Sequence, residues 1–178
     1  MLRLLLPLLL GLALLVAILG GRQDAPDPLE GLDPKAALEL ANRWAWERPE
    51  VNSYLTSRHL VFRFPDGRER RVALPEDRMA IAVAPYLRST HPCRVHFPSS
   101  CRGELAGVEL YVLVREEGGG VYFEGSLKTL ENGFFELWLP RDRRYRLQVL
   151  YQGYRGGLVL ETGEDAATCR TDLRLYRF

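Results

Sequence analysis

The sequence predicts an α+β chain: a small N-terminal helix-plus-hairpin unit, then a C-terminal antiparallel β-sandwich. Three observations predict it. One capped stretch of helical spacing lies between Asp33 and Pro49. A Pro-Asp-Gly turn separates two apolar runs. About six alternating segments fill the chain from Glu104 to Tyr176.

Residues 1–21 precede the fold. Arg3 stands ahead of an unbroken apolar run from Leu4 to Leu19, which reads as a signal peptide or a signal anchor with its C-terminal side outside the cytoplasm. The chain is therefore expected in the periplasm or on the outer face of the membrane, free after cleavage or anchored by residues 4–21. Residues 22–33, rich in Pro, Gly and acids, read as a linker. Asp33 then offers an N-cap, Pro34 suits the first helical position, and Ala37, Leu40, Ala41 and Trp44 follow at helical spacing until Pro49. Trp44 and Trp46 are expected to anchor this helix.

Residues 59–64 and 69–74 flank Pro65-Asp66-Gly67, a hairpin pattern. Met79, Ile81 and Val83 alternate, which predicts a strand ending before Pro85. The small unit thus covers residues 34–88. Residues 89–103 have no period and form a loop. Beyond it Val108 to Val114 alternate, Gly118–Gly120 turn, and Val121–Leu130 form a strand. Asn132-Gly133 predicts a hairpin into Phe134–Leu139. Tyr145 to Tyr151 alternate, Gly153–Gly157 turn, and strands follow over 158–162 and 168–176. Loop and strands together make a second unit over residues 89–178.

Charge excludes some functions. The formal net charge is +1, so no field favours nucleic acid or an anionic membrane. The basic run Arg141 to Arg146 contains Asp142 and is expected to be a solvated turn. No G-x-S-x-G, H-E-x-x-H, C-x-x-C or P-loop pattern occurs.

The chemistry is concentrated in cysteine. An exported chain with 3 cysteines keeps at least one thiol outside any intramolecular disulfide. The loop reads His91-x-Cys93-x2-His96-x4-Cys101, and Cys169 opens the last strand. Two readings stand side by side. Cys93–Cys101 staples the loop, or Cys101–Cys169 ties first strand to last, leaving a disulfide-stapled binding or scaffold module with one spare thiol. Alternatively the thiols meet at one rim and form a metal or redox site. Three sulfurs with an imidazole from His96, and from His91 as an additional ligand, suit copper and are poorly matched to Mg(II) or Ca(II). Zinc fits less well, because its structural sites use closely spaced cysteine pairs. Glu104 is either the first residue of a strand or an acceptor that orients a ligating histidine.

Several segments in order carry a resemblance. They are Ala84-Pro85-Tyr86, Thr90-His91-Pro92-Cys93, His96, Ser100-Cys101, Gly103-Glu104-Leu105, Asn132-Gly133-Phe134, the run Glu136 to Asp142, Tyr151-Gln152-Gly153 and Thr168-Cys169. In these the sequence resembles the CueP family of periplasmic copper-binding proteins. The resemblance implies an exported protein of copper resistance. In it Cys93, Cys101 and Cys169 hold Cu(I) and can reduce Cu(II), with His96 between the first two. It also implies a recipient cuproenzyme such as a periplasmic superoxide dismutase. Thiol-dependent reduction is stoichiometric unless a thiol-disulfide oxidoreductase restores the thiols, so whether the chain is an enzyme stays open. One departure is clear. The methionine expected soon after the last cysteine is absent from Arg170–Arg174.

Overall fold

The structure is a computed structural model that describes residues 27–178. The expected leader, its anchoring role and the first part of the linker lie outside the described residues. Gly31–Phe178 form one compact unit, to which everything below refers. Among the described residues no helix is long and apolar enough to cross a membrane.

The unit is mostly β with one short helix, an α+β fold. Helix α1 (Pro34–Glu47) starts where its cap predicts: the Asp33 carboxylate accepts the Lys35 and Ala36 N–H groups at 3.0 and 3.2 Å. It buries Ala37, Leu38, Ala41, Trp44 and Ala45. Trp46 departs from expectation and is 50% exposed. It lies two residues, about 200°, around the helix from Trp44. Instead of anchoring the helix it carries the Arg102 guanidinium 4.4 Å above its ring.

Strands β1 (Asn52–Leu55), β2 (His59–Arg63) and β3 (Glu69–Ala73) form an antiparallel sheet, with the β2–β3 hairpin turning at Pro65-Asp66-Gly67. β1 has no counterpart in the sequence reading, because four residues are too few to show a period. β4 (Arg78–Tyr86) runs through Pro85 rather than stopping before it. It is the middle strand of a second sheet, antiparallel to β7 (Phe135–Pro140) and parallel to β10 (Cys169–Arg174). This parallel pair is a departure from wholly antiparallel order. The third sheet is antiparallel and five-stranded. It uses β5 (Glu109–Glu116), β6 (Val121–Lys128), β8 (Arg144–Tyr151), β9 (Tyr154–Glu161) and β11 (Tyr176–Arg177) in the order β11-β9-β8-β5-β6.

One apolar core joins the second and third sheets. It takes Met79, Ile81 and Val83 from β4, Phe135, Leu137 and Leu139 from β7 and Leu173 from β10. These meet Leu110, Val112, Val114, Leu147, Val149 and Leu160 of the large sheet. Each such side chain contributes about 1.5–3 kcal/mol when fully buried.

Three local expectations change. Asn132-Gly133 is a turn but not a hairpin, since β6 and β7 belong to different sheets. Gly133 has φ +83°, and a Cβ there would stand 2.5 Å from the Gly103 carbonyl oxygen. Two backbones crossing this closely require glycine. The turn after β8 is only Gln152-Gly153, so Gly156 and Gly157 lie inside β9. Arg141 is buried rather than solvated, and donates to the Ser57 carbonyl at 2.5 Å. Its neighbours Arg143, Arg144 and Arg146 do form exposed ion pairs with Glu116, Glu117 and Glu161.

Candidate metal centre

The second sheet has a face turned away from the apolar core. Register places Cys169 beside Ala82 and Ala82 beside Glu136, in one row across the strands. In a regular strand Cys169 and Leu173, four apart, share a face. A register shift between Arg170 and Leu173 separates them, so Leu173 joins the core while Cys169 packs with Ala82, Ala84, Cys101 and Phe134.

The cysteine loop lies along β10 and is bonded to it at several points. Thr168 and Cys169 both donate their N–H groups to the Arg94 carbonyl, at 3.0 and 3.2 Å. The Thr171 hydroxyl donates to the His91 carbonyl, and the Thr90 hydroxyl to the Thr171 carbonyl, each at 2.5 Å. His96 is held by its backbone: its N–H donates to Thr168 Oγ1 at 3.1 Å, and its carbonyl accepts the Leu55 N–H at 2.7 Å. The same Thr168 hydroxyl donates to the Leu55 carbonyl at 2.6 Å. One hydroxyl thus joins β1, the loop and β10. A turn over residues 97–101 sets Cys101, whose N–H donates to the Phe97 carbonyl at 2.8 Å. The Arg102 guanidinium bonds the carbonyls of Ser99 and Cys101 at 3.2 and 2.8 Å and closes that turn.

These supports bring the sequence-selected residues together. The Cys93 and Cys101 sulfurs are 3.5 Å apart. A donor nitrogen of His96 and the sulfurs of Cys101 and Cys169 all lie within 4.8 Å of one another. So do the donor atoms of His91, Cys93 and Cys101. All three cysteines are free thiols. Burial is graded: Cys169 and His96 have no exposed surface, Cys101 is 7% exposed, and His91 and Cys93 are half-buried.

The electrostatics of the three thiols differ. Interaction with the Cys169 thiol, then with His96 and the Phe97 N–H, outweighs desolvation and holds Cys101 down to about 3. Burial pushes Cys93 up to about 11. Cys169 is pushed up by its interaction with Cys101 and by burial. The three thiols titrate together, and their shifts favour Cys101 as the charged member.

His96 is the sharper observation. Its ring packs on Phe134 with centroids 4.7 Å apart, and neither ring nitrogen meets a hydrogen-bond partner among the described residues. A buried polar atom without a partner costs about 1–3 kcal/mol. Two donors about 2.3 Å from one ion are at most about 4.6 Å apart. A group spanning 4.8 Å or less therefore closes on an ion with small movements. Soft sulfur with borderline imidazole suits a soft or borderline ion such as Cu(I) or Zn(II).

Glu104 plays neither expected role. β5 begins at Glu109, and the Glu104 carboxylate accepts the N–H groups of Leu87 and Arg88 at 2.8 and 2.9 Å. It shapes the chain leaving β4 toward the loop. His59 opens β2, half-buried. Sequence reasoning named Thr168, Phe134 and Glu136 only within the segments of resemblance and gave them no role at the site. Burial raises the Glu136 carboxyl above its ordinary value, against the Asn42 amide that donates to it at 2.7 Å and the nearby His96. No local motif marks them, because long-range register assembles the group.

Comparison with known proteins finds a family and a solved structure similar to this chain. The family described as "Periplasmic copper-binding protein CueP" matches residues 38–174. The crystal structure of S.CueP is similar to this chain at 29% identity with a TM-score of 0.77, covering 83% of this chain and 91% of that one. No curated protein sequence matches.

Proposed function

This chain belongs to the CueP family of periplasmic copper-binding proteins, and from that premise we propose that it holds Cu(I) through Cys93, Cys101 and Cys169 with His96. The observation that carries the reading is the pair of unpartnered His96 nitrogens, one of them within 4.8 Å of both buried sulfurs. Cu(I) at this place gives the imidazole the partner it lacks and takes two or three soft sulfurs as ligands.

Reduction of Cu(II) follows from the same thiols. Cys93 loses one proton, and the pair of Cys93 with the Cys101 thiolate loses two electrons as their sulfur–sulfur bond forms, and two Cu(II) become two Cu(I). Cys93 and Cys101, 3.5 Å apart, need only a short approach to reach bonding distance. A thiol-disulfide oxidoreductase would return the electrons, and a periplasmic cuproenzyme such as a superoxide dismutase would take the copper, for copper resistance or delivery. The low position of Cys101 supplies a thiolate at neutral pH to begin either process.

The test is Cu(I) affinity against a competing chelator, together with a count of thiols lost per Cu(II) added, for the wild type and Cys169→Ser. The expected variant has affinity at least about tenfold weaker and slower reduction. Unchanged affinity together with unchanged reduction would remove Cys169 from the site and overturn the three-thiol reading.

A further inference from the structure

The donors form not one group but two that overlap. His91, Cys93 and Cys101 make one triad, and His96, Cys101 and Cys169 make the other, each with its donor atoms within 4.8 Å. Each triad offers one imidazole and two sulfurs, and Cys101 belongs to both. They differ in access. His91 and Cys93 are half-buried, whereas His96 and Cys169 have no exposed surface.

We infer that His91, Cys93 and Cys101 form an outer loading site, from which Cu(I) passes to the buried His96–Cys101–Cys169 site while Cys101 stays attached. The inference rests on the copper-binding reading above and divides its donors in sequence: Cys93 holds copper on arrival, Cys169 holds it in the final site, and His91 takes a role distinct from storage. Three observations carry it. His96 and Cys169, the donors found only in the inner triad, present no surface to an arriving copper carrier, so the exposed donors must take the ion first. Cys101, 3.5 Å from Cys93, is within one short step of both sites. The inner site alone contains the imidazole whose two nitrogens have no partner, which gives the transfer its direction.

The step balances simply. His91 and Cys93 leave copper as His96 and Cys169 join it. The proton released by Cys169 is matched by one returned to Cys93. Donor types and site charge are the same before and after, so neither oxidant nor reductant is required. The supports also fit the roles. His96 is fixed through its N–H and its carbonyl, whereas the bond from Thr171 holds His91 by its carbonyl alone. A fixed ligand suits retention, and one tethered at a single backbone atom suits exchange.

The experiment is stopped-flow transfer of Cu(I) from its bicinchoninate complex to the reduced full chain, with equilibrium affinity measured on the same samples. In His91→Gln the loading rate is expected to fall about tenfold or more, with affinity changed less than about threefold, since the two quantities report different sites. In His96→Gln the reverse is expected: a fast first phase persists and affinity falls at least about tenfold. X-ray absorption of copper-loaded His96→Gln would then show one nitrogen and two sulfurs, the outer set. Loading by His91→Gln at the wild-type rate overturns the relay and leaves the copper site intact. Equal loss of rate and affinity also overturns it, because His91 would then belong to the final site. A wild-type chain that takes no Cu(I) defeats the underlying copper reading instead.

Discussion

The two faces of the β10-β4-β7 sheet carry alternate residues of the same strands and differ in what they are made to do. Toward the large sheet, Met79, Ile81, Val83, Leu137, Leu139 and Leu173 are buried among apolar neighbours. Toward the loop, Ala82, Ala84, Phe134 and Cys169 surround a thiolate, and His96 adds an imidazole with no partner. The first face gains free energy from every buried methylene. The second gives some of it up, because unpartnered buried polar atoms oppose folding. A period of two lets one strand serve both purposes without compromise.

The largest effect tests the division itself. Leu147 is 1% exposed within the apolar core, and Leu147→Ala is expected to cost about 2–5 kcal/mol in denaturant unfolding of the metal-free protein. Cys101→Ser on the other face is expected to cost less than Leu147→Ala and to abolish tight Cu(I) binding. If the two substitutions destabilise equally, the sulfur face is core after all, and its polar character is incidental.

The next effect has the opposite sign. His96→Leu replaces an imidazole whose nitrogens make no hydrogen bond by an apolar side chain, and the metal-free protein is expected to gain stability at acid pH, where the Cys101 thiolate that the ring favours is protonated. The same variant should lose most of the stabilisation that Cu(I) confers on the wild type, read as the shift in thermal midpoint on adding the ion. A variant both less stable and still stabilised by copper would show that His96 is packing, not a ligand.

This contrast also explains what was legible in the sequence. Alternation along Val108 to Val114 and along Tyr145 to Tyr151 identified β5 and β8, because one side of each is buried and the other wet. The capped helix and the Pro65-Asp66-Gly67 hairpin were legible for equally local reasons. The loop announced its chemistry through residue types, His91, Cys93, His96 and Cys101. Their arrangement was not legible. It depends on a parallel pairing between strands more than 80 residues apart, Ala82 with Cys169. It depends also on one extra residue in β10, which no period reveals. Asn132-Gly133 misled for the same reason: its local preference for a turn is real, but the next strand joins another sheet. Thr168, the hydroxyl on which the loop, β1 and β10 meet, was legible only as part of the Thr168-Cys169 segment of resemblance, and nothing local gave it a role.

The smallest effect concerns charge on the sulfur face and appears only with pH. Cys101 has its folded value lowered from 9.0 to about 3, chiefly by Cys169. Between those values the unfolded chain holds a proton that the folded chain has released. The unfolded state binds more protons, so this group's contribution to stability is complete above about 9 and is lost as pH falls toward 3. Cys169 acts in the other direction. Its folded value is raised, so its contribution is complete below the ordinary 9.0 and is lost as pH rises above it. The reduced, metal-free protein should therefore be favoured by this pair most near pH 9, the upper end of that range. Cys169→Ala removes the main cause of the low value at Cys101. Ultraviolet titration of the thiolate is expected to show its onset at higher pH in that variant than in the wild type. The difference in stability between the two proteins should change along the same pH interval. Identical thiolate titrations would mean that the charge at Cys101 is set by His96 and the Phe97 N–H alone, and that the sulfur face is held together by its backbone supports, not by the sharing of a proton between its thiols.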